Sequence, residues 1–583
     1  MAGFLCCVAA PLSAQEPDSV CPAGRISSVF IDNHSVFDMS DPGLNLRFQW
    51  AYGLANRLHP ATREGVIRRE LLFGPGDCYE VELLRDSERL LRGLDFIASV
   101  DIFGVRQADG SIHVLVDTRD EWSLRVDPEI GGGESSGLTG IRVGDDNLFG
   151  TGTHVSGFYL HDQEEQVYGA SFFTPQLFAS RWDATLELGR TPVGNLLYES
   201  LAFPFVGEAG RWAFRQAVQR HDRYFEYLVP RETDELRPVW FPVTRSAADV
   251  GIAFRLGNDG FNRTVVGAAL AGEWVSFPEG HQPRFANPEE GEVPAEILGL
   301  RRDTLESVRA LFMVGQRNVY YVRGRSLDTV NGTEDVRLGV ETEVALGPSV
   351  PGLAHRQDLA VDLVLSAGGE IFGSGLAGGQ LLVEGRRDYR DRETGSEWSD
   401  VFAQVNLWSY LRGSSESRAV LVAAVNAAGG WHDGVPFQLT LGGDAGLRGY
   451  PDHIDPGARR VVGTLEERVY LGWPFADLFD TGAVAFVDVG KIWAGSVPFG
   501  ETSPIRADAG LGLRLAFPPG SRQTLRLDVG VPIGPGGGFR NAVFSAGMGQ
   551  VVGAGRVHRD PQLRRSTRHG VSPSIFILPS RRP

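Results

Sequence analysis

The chain has 583 residues, 22% of them charged, and a net charge of −17. That acidic balance argues against a protein that works by holding nucleic acid, because phosphate binding wants a basic surface. The hydrophobic fraction is 42%, and past the N-terminus no run approaches the ~20 apolar residues a membrane helix needs, so any membrane insertion has to be made by strands.

The first 15 residues are apolar and end in Leu12-Ser13-Ala14-Gln15. They read as a secretory signal over 1–14, although no Lys or Arg precedes Arg25. Cleavage there removes Cys6 and Cys7 and leaves Cys21 and Cys78. Those two either form one disulfide in an exported domain or stand as separate thiols. No metal-ligand spacing is visible among Cys and His, and no cofactor is expected.

Residues 25–125 read as a small α+β module. A strand over Arg25–Ile31 is followed by a helix over Leu44–Leu58. Thr62 looks like the N-cap of a second helix, broken at Gly74-Pro75-Gly76. A third helix spans Val81–Leu94, with Leu84, Leu91 and Leu94 at helical spacing. Strands over Ile97–Arg106 and Ser111–Thr118 meet at Asp109-Gly110, a hairpin signal. With Gly76-Asp77-Cys78-Tyr79, Leu90-Leu91 and Phe96-Ile97-Ala98-Ser99-Val100, the module resembles a POTRA domain, the periplasmic unit of the BamA/TamA superfamily. The resemblance implies a sheet edge that can pair with an extended client. The plainer alternative is a domain that only spaces or plugs.

Residues 126–552 open with Gly131-Gly132-Gly133, which reads as a hinge, and then alternate with period two. Val250, Ile252, Phe254 and Leu256 alternate with Asp249, Gly251 and Arg255. Val336, Leu338, Val340 and Val344 alternate with Arg337, Gly339, Glu341 and Glu343. Leu511, Leu513, Leu515 and Phe517 alternate with Gly510, Gly512 and Arg514. Each such strand has one apolar face and one face of charge and glycine. A soluble sandwich alternates too, but little helical pattern is available to cover the apolar faces. Closure into a barrel also removes edge strands. The stretches Pro230–Thr244, Phe277–Asp303 and Arg386–Asp400 read as surface loops. The fold class is therefore mainly β: an antiparallel transmembrane β-barrel of about 16 strands, at roughly 25 residues for each strand with its share of loop, preceded by the module. Asp145-Asp146-Asn147-Leu148-Phe149-Gly150-Thr151-Gly152 resembles the segment that leads into the superfamily's barrels. Gly373-Ser374-Gly375-Leu376-Ala377-Gly378 fits a dinucleotide pattern, but a strand or turn follows it where a helix would be needed.

The most informative stretch is Leu447-Arg448-Gly449-Tyr450, followed by strands with Thr464-Leu465-Glu466-Glu467 and Phe486-Val487-Asp488-Val489-Gly490. It resembles the signature of the superfamily's sixth extracellular loop, with Leu447 in place of the usual valine. The resemblance implies that this loop folds back into the lumen and that Arg448 meets Glu466 and Asp488 on the inner wall. The residues suit that role. Phe486, Asp488 and Gly490 share one strand face, and Glu467 would point away from Glu466. A guanidinium bonds a carboxylate through two parallel N–H groups, worth ~1–3 kcal/mol.

Beyond 552 the chain continues to Pro583 with seven arginines and one acid, Asp560, which reads as a flexible basic tail over 553–583. The superfamily resemblance implies a non-enzymatic outer-membrane protein that inserts or translocates polypeptides, with the module in the periplasm. Its partners would be membrane lipid, unfolded barrel or secreted clients, and periplasmic accessory proteins. A passenger secretion pore and a passive solute channel are the alternatives.

Overall fold

The computed structural model describes residues 21–566, apart from residues 38, 40–45, 132–136, 163–164, 209, 231–235, 258–262, 279, 286, 288–290, 294–297, 299–303, 390–396, 415–416, 472–477, 535–536, 552 and 554–559. The expected signal segment, with Cys6 and Cys7, lies outside the described residues, as does most of the tail.

The module is β1 (Ile26–His34), α1 (Gln49–Leu58), α2 (Glu64–Glu70), α3 (Val81–Arg92), β2 (Ile97–Arg106) and β3 (Ile112–Asp120). Its sheet runs β1-β3-β2, with β1 parallel and β2 antiparallel to the central β3. Ile67, Leu84, Leu91, Ile97, Val114 and Val116 form its core. Cys21 and Cys78 are joined in a disulfide. Thr62 does not cap α2: the N-cap is Arg63, with no side-chain cap bond. Instead the Thr62 N–H donates to Asp120 (2.7 Å), and its hydroxyl accepts from Asn147 (2.8 Å) in the next domain. A buried acceptor outcompetes a local cap here.

The wall begins with short strands: β4 (Leu124–Gly131), β5 (Gly137–Asp145), β6 (His154–Asp162), β7 (Glu165–Thr174), β8 (Asp183–Thr191) and β9 (Gly194–Phe203). Taller strands follow: β10 (Trp212–Pro230), β11 (Leu236–Leu256), β12 (Arg263–Ser276), the two-residue β13 (Arg284–Phe285), β14 (Leu305–Arg325), β15 (Thr333–Pro348), β16 (Asp358–Ile371), β17 (Gly375–Asp388), β18 (Trp398–Leu411) and β19 (Ala419–Trp431). A small hairpin, β20 (Leu439–Leu441) and β21 (Ile454–Gly457), precedes β22 (Arg459–Leu471), β23 (Asp480–Trp493), β24 (Arg506–Ala516), β25 (Leu525–Ile533) and β26 (Val543–Met548). All wall pairings are antiparallel, and β26 pairs with β4 to close the ring. β13 only decorates β11, since β12 pairs directly with β14. The wall thus has 20 strands among the described residues, not about 16. The difference arises because β4 to β9 are only 8–10 residues long, so six strands fit within residues 124–203.

Other expectations are also corrected. Gly131 pairs with Gly137 at the end of β4, while Gly132 and Gly133 lie outside the described residues; the link between β3 and β4 is Glu121–Ser123. Leu236–Thr244, expected in a loop, continues β11 and buries Val239, Phe241 and Val243. The dinucleotide-like glycines lie at the β16–β17 turn with no helix after them.

The patterning is inverted relative to a soluble protein. Val250, Ile252, Phe254 and Leu256 are 37–49% exposed, while Asp249 and Arg255 between them are buried. Val487 and Val489 are exposed while Asp488 is buried. An apolar outer face with a charged interior wants lipid around it. No described helix is long and apolar enough to cross a membrane. One expected face is split: Val340 is exposed, but Val336 and Leu338 are buried in a lumenal cluster on the other side of Gly339, whose φ is +99°.

The module docks against five turns at one barrel mouth. Asn147 (β5–β6) reaches Thr62. Gln176 (β7–β8) bonds Arg69 (2.7 Å) and Glu70 (2.8 Å). Arg92 forms a two-point pair with Asp335 beside the β14–β15 turn (2.8 and 3.1 Å), and the Arg522 N–H (β24–β25) donates to Glu121 (2.8 Å). Glu208 in the β9–β10 turn is partly buried, which would raise its pKa. Arg317, Arg255, Arg89 and Arg263 outweigh this and hold it below the ordinary glutamate value. The sign follows from linkage: these pairs contribute stability above the ordinary glutamate pKa, and it is lost as pH falls through the lowered value. Acidification should therefore weaken the Arg89–Glu208 pair (3.6 Å), the one of the four that joins module to barrel, read as faster trypsin cleavage at the module–barrel junction; Glu208→Gln should reduce that pH dependence. Within the module, Asp120 accepts from Thr62 N–H and His59 Nε2 (2.8 Å) and is fully buried. Asp120→Ala should cost about 1–3 kcal/mol, read as a lower melting temperature of the module signal.

Candidate functional site: the lumenal arginine loop

The loop between β19 and β22 folds into the lumen. Its β20–β21 hairpin and the Gly443–Ala445 turn lead to Gly446, whose φ of +106° reverses the chain cheaply only for glycine. Leu439, Leu441 and Leu447 are fully buried in an apolar cluster with Phe225, Phe241, Phe402, Phe437 and Ile492. Each such leucine is worth roughly 1.5–3 kcal/mol of burial. The cluster therefore supplies most of the holding energy, and the polar contacts set position.

Arg448 is 2% exposed. Its Nε and Nη2 donate to the two oxygens of Asp488 (2.8 and 2.9 Å), and Nη1 donates to Glu466 Oε1 (2.5 Å). The guanidinium lies 3.6 Å over the Phe486 ring, a cation–π contact. Thr464 donates to the inner oxygen of Asp488 (2.8 Å). Tyr450 OH donates to the Ala507 carbonyl (3.2 Å). Leu447, Arg448, Gly449 and Tyr450 thus all contact the inner wall, and the structure brings Glu466, Phe486, Asp488 and Gly490 to them. Glu467 is exposed on the outer face.

Three glycines explain how the loop lies so close. A Cβ on Gly530 of β25 would sit 2.6 Å from the Gly449 nitrogen, and one on Gly449 would sit 2.5 Å from the Asp508 Cβ. On Gly490 the Leu447 methyls would lie 3.1 Å away.

The sequence points to two carboxylates, but the network is larger. Asp528 stands 3.8 Å from Arg448 and binds Arg514 (2.6 Å). The second oxygen of Glu466 accepts from Arg468 (2.8 Å). Arg468 in turn donates to the Leu327 carbonyl (2.6 Å) and to Asp328 (3.1 Å), both in the β14–β15 turn. That turn buries Leu327 and Val330 against Tyr410, Val420, Val422 and Tyr470. Arg468 follows Glu466 on the same strand face, so period two alone could have flagged it. Asp528 alternates with Leu525, Leu527, Val529 and Val531, which places it on the inner face without naming its partner, and Asp328 comes from a sequence-distant turn.

A closed barrel with an apolar outside, a charged inside and an arginine-locked loop in its lumen defines the class: a membrane-spanning β-barrel with an internal lid. Residues 406–551, the part of the wall from within β18 to just beyond β26, match the model of the Omp85 superfamily domain. No curated protein sequence matches the chain. Similar solved structures include BamA of Haemophilus ducreyi lacking POTRA domains 1–3 (13% identity, TM-score 0.39, covering 90% of this chain and 84% of that one). They also include CdiB of Escherichia coli (12%, 0.43, 92% and 92%) and CdiB of Acinetobacter baumannii (12%, 0.37, 90% and 74%).

Removing Arg448 leaves Glu466 and Asp488 buried without their shared cation, which costs about 3–5 kcal/mol when a buried pair is broken. Arg448→Ala should therefore lower the temperature at which the folded barrel becomes SDS-sensitive. Arg448→Lys should rescue little, because a single ammonium cannot match the fork geometry. Gly530→Val should expose the loop to added protease while leaving β25 in the wall.

Proposed function

We propose that this chain is an outer-membrane barrel that inserts or translocates polypeptides, with the α+β module as a POTRA-like domain in the periplasm. The observation that carries the proposal is the seam. Among described residues β26 meets β4 at one register pair, Ala546 with Ile130, whereas β25–β26 has six and β4–β5 eight. At about 1 kcal/mol net for each backbone hydrogen bond, parting the seam is far cheaper than parting any neighbour. Parting exposes two strand edges, and a free edge is a template for a client strand. The module's sheet ends in β1 and β2; Glu88 and Arg92 already take Ile102 N–H and the Val100 carbonyl of β2, so β1 beyond Ile26 is the edge that would offer the same chemistry below the mouth. Energy would come from the client's own folding.

Secretion through the lumen would require the loop, the β14–β15 turn and residues 560–566 to move together. A passive channel is disfavoured on the same ground.

The test is a folding assay in liposomes with a urea-unfolded outer-membrane protein as client. The wild-type chain should speed the client's acquisition of protease resistance. A seam staple, Ile130→Cys with Ala546→Cys, should abolish the gain when oxidised and restore it when reduced. Client folding no faster than in empty liposomes would sink the proposal.

A further inference from the structure

The segment expected to be a flexible basic tail is, where described, packed inside the barrel. After β26 the chain turns inward. The Gly549 N–H donates to the Thr524 carbonyl, and Gln550 bridges Arg514 (2.8 Å) and the Asp328 carbonyl (3.0 Å) at the module-facing mouth. Residues 560–566 then lie beside the lid loop, towards the other mouth, with a helical turn over Pro561–Arg564.

The contacts form a built site. Asp560 caps its own turn by accepting from the N–H groups of Gln562 (3.0 Å) and Leu563 (3.1 Å), and its other oxygen accepts from Arg460 of β22. The Asp560 N–H donates to Gln404 of β18 (2.8 Å). The Gln562 amide grips the loop hairpin from both ends: its nitrogen donates to the Thr440 hydroxyl (2.7 Å), and its oxygen accepts from Thr440 N–H and Arg460 Nη1 (both 2.8 Å). Arg460 also donates to the Thr440 carbonyl (2.6 Å). Leu563 enters the apolar cluster with Phe437, Leu439 and Leu441. The Ser566 hydroxyl donates to the Pro436 carbonyl (2.6 Å), and Arg223 of β10 donates to the Arg565 carbonyl (2.7 Å). Asp560, Gln562, Leu563 and Ser566 are all buried. Arg460 and Arg223 stand on β22 and β10, nine strands apart around a wall of twenty. The segment therefore spans the lumen from one side to the other.

We propose that the lumen carries a peptide-binding site, formed by Gln404, Thr440, Arg460 and Arg223, for a short turn with an acidic cap and a buried leucine. Residues 560–566 occupy it in cis as a built-in plug. Arg460 is the key recognition group. It touches the plug and the lid hairpin at once, so ejecting the plug removes two of the lid's polar partners. Anything passing the lumen, or any motion of the lid, has to displace this turn first. The inference rests on the membrane-barrel assignment and not on polypeptide clients.

The test is conductance in planar bilayers, which needs no client. The full chain should be nearly closed. A chain stopped after Gly553, and full-length Leu563→Asp, should each raise conductance several-fold while migrating as folded, heat-modifiable barrels. A synthetic peptide of residues 560–566 should close the shortened barrel again, and the same peptide with Asp560→Asn should do so only at much higher concentration. A folded, shortened barrel that conducts no more than the full chain would overturn the proposal, as would indifference to the peptide. If the shortened chain does not fold, Leu563→Asp at wild-type conductance overturns it alone.

Discussion

Much of the interior depends on one carboxylate. Glu466 has two oxygens, and each is taken by a different arginine: Arg448 from the lid loop and Arg468 from its own strand. Because Arg468 continues to Leu327 and Asp328, the lid at one mouth and the turn at the other are linked through a single buried group. In a low-dielectric interior neither arginine can lose this partner cheaply. The lid and the turn are therefore expected to move as a unit. The apolar clusters around each provide the free energy of closure. The charges decide where closure occurs.

The same logic explains the wall. A barrel facing lipid gains nothing from charge outside and everything from neutralising charge inside, so arginines and carboxylates alternate across the inner face. Arg309, Arg386 and Arg356 share Glu273, Asp358, Asp388 and Asp400 in one such patch. These groups fix strand register as well as filling space, because a one-residue slip would turn each of them towards lipid.

What could be read in advance followed from locality. Module elements were legible because apolar spacing and turn residues act over a few positions; β2 came out at Ile97–Arg106 from the sequence as it does in the structure. The lid contacts were legible because Arg448, Glu466 and Asp488 sit in a compact pattern whose resemblance named them. Strand number was not, since it depends on turn lengths that period two does not encode. Thr62 looked like a cap until Asp120, 58 residues away, claimed its N–H. Seven arginines dominate the composition of the tail, whereas the placement of its described residues 560–566 is decided by Asp560, Gln562 and Leu563. Those three make unremarkable local sequence and acquire meaning only beside Arg460 and Thr440.

The uneven height of the wall has a consequence for the surrounding bilayer. β26 has six residues and β4 eight, against 21 in β11 and β14. At about 3.4 Å per residue, β26 spans roughly 20 Å before any tilt, less than the ~25 Å apolar band such barrels usually present. A bilayer matched to the taller strands would meet a hydrophobic mismatch at β26, with a cost for every ångström. Among the described residues the wall is joined there by a single register pair.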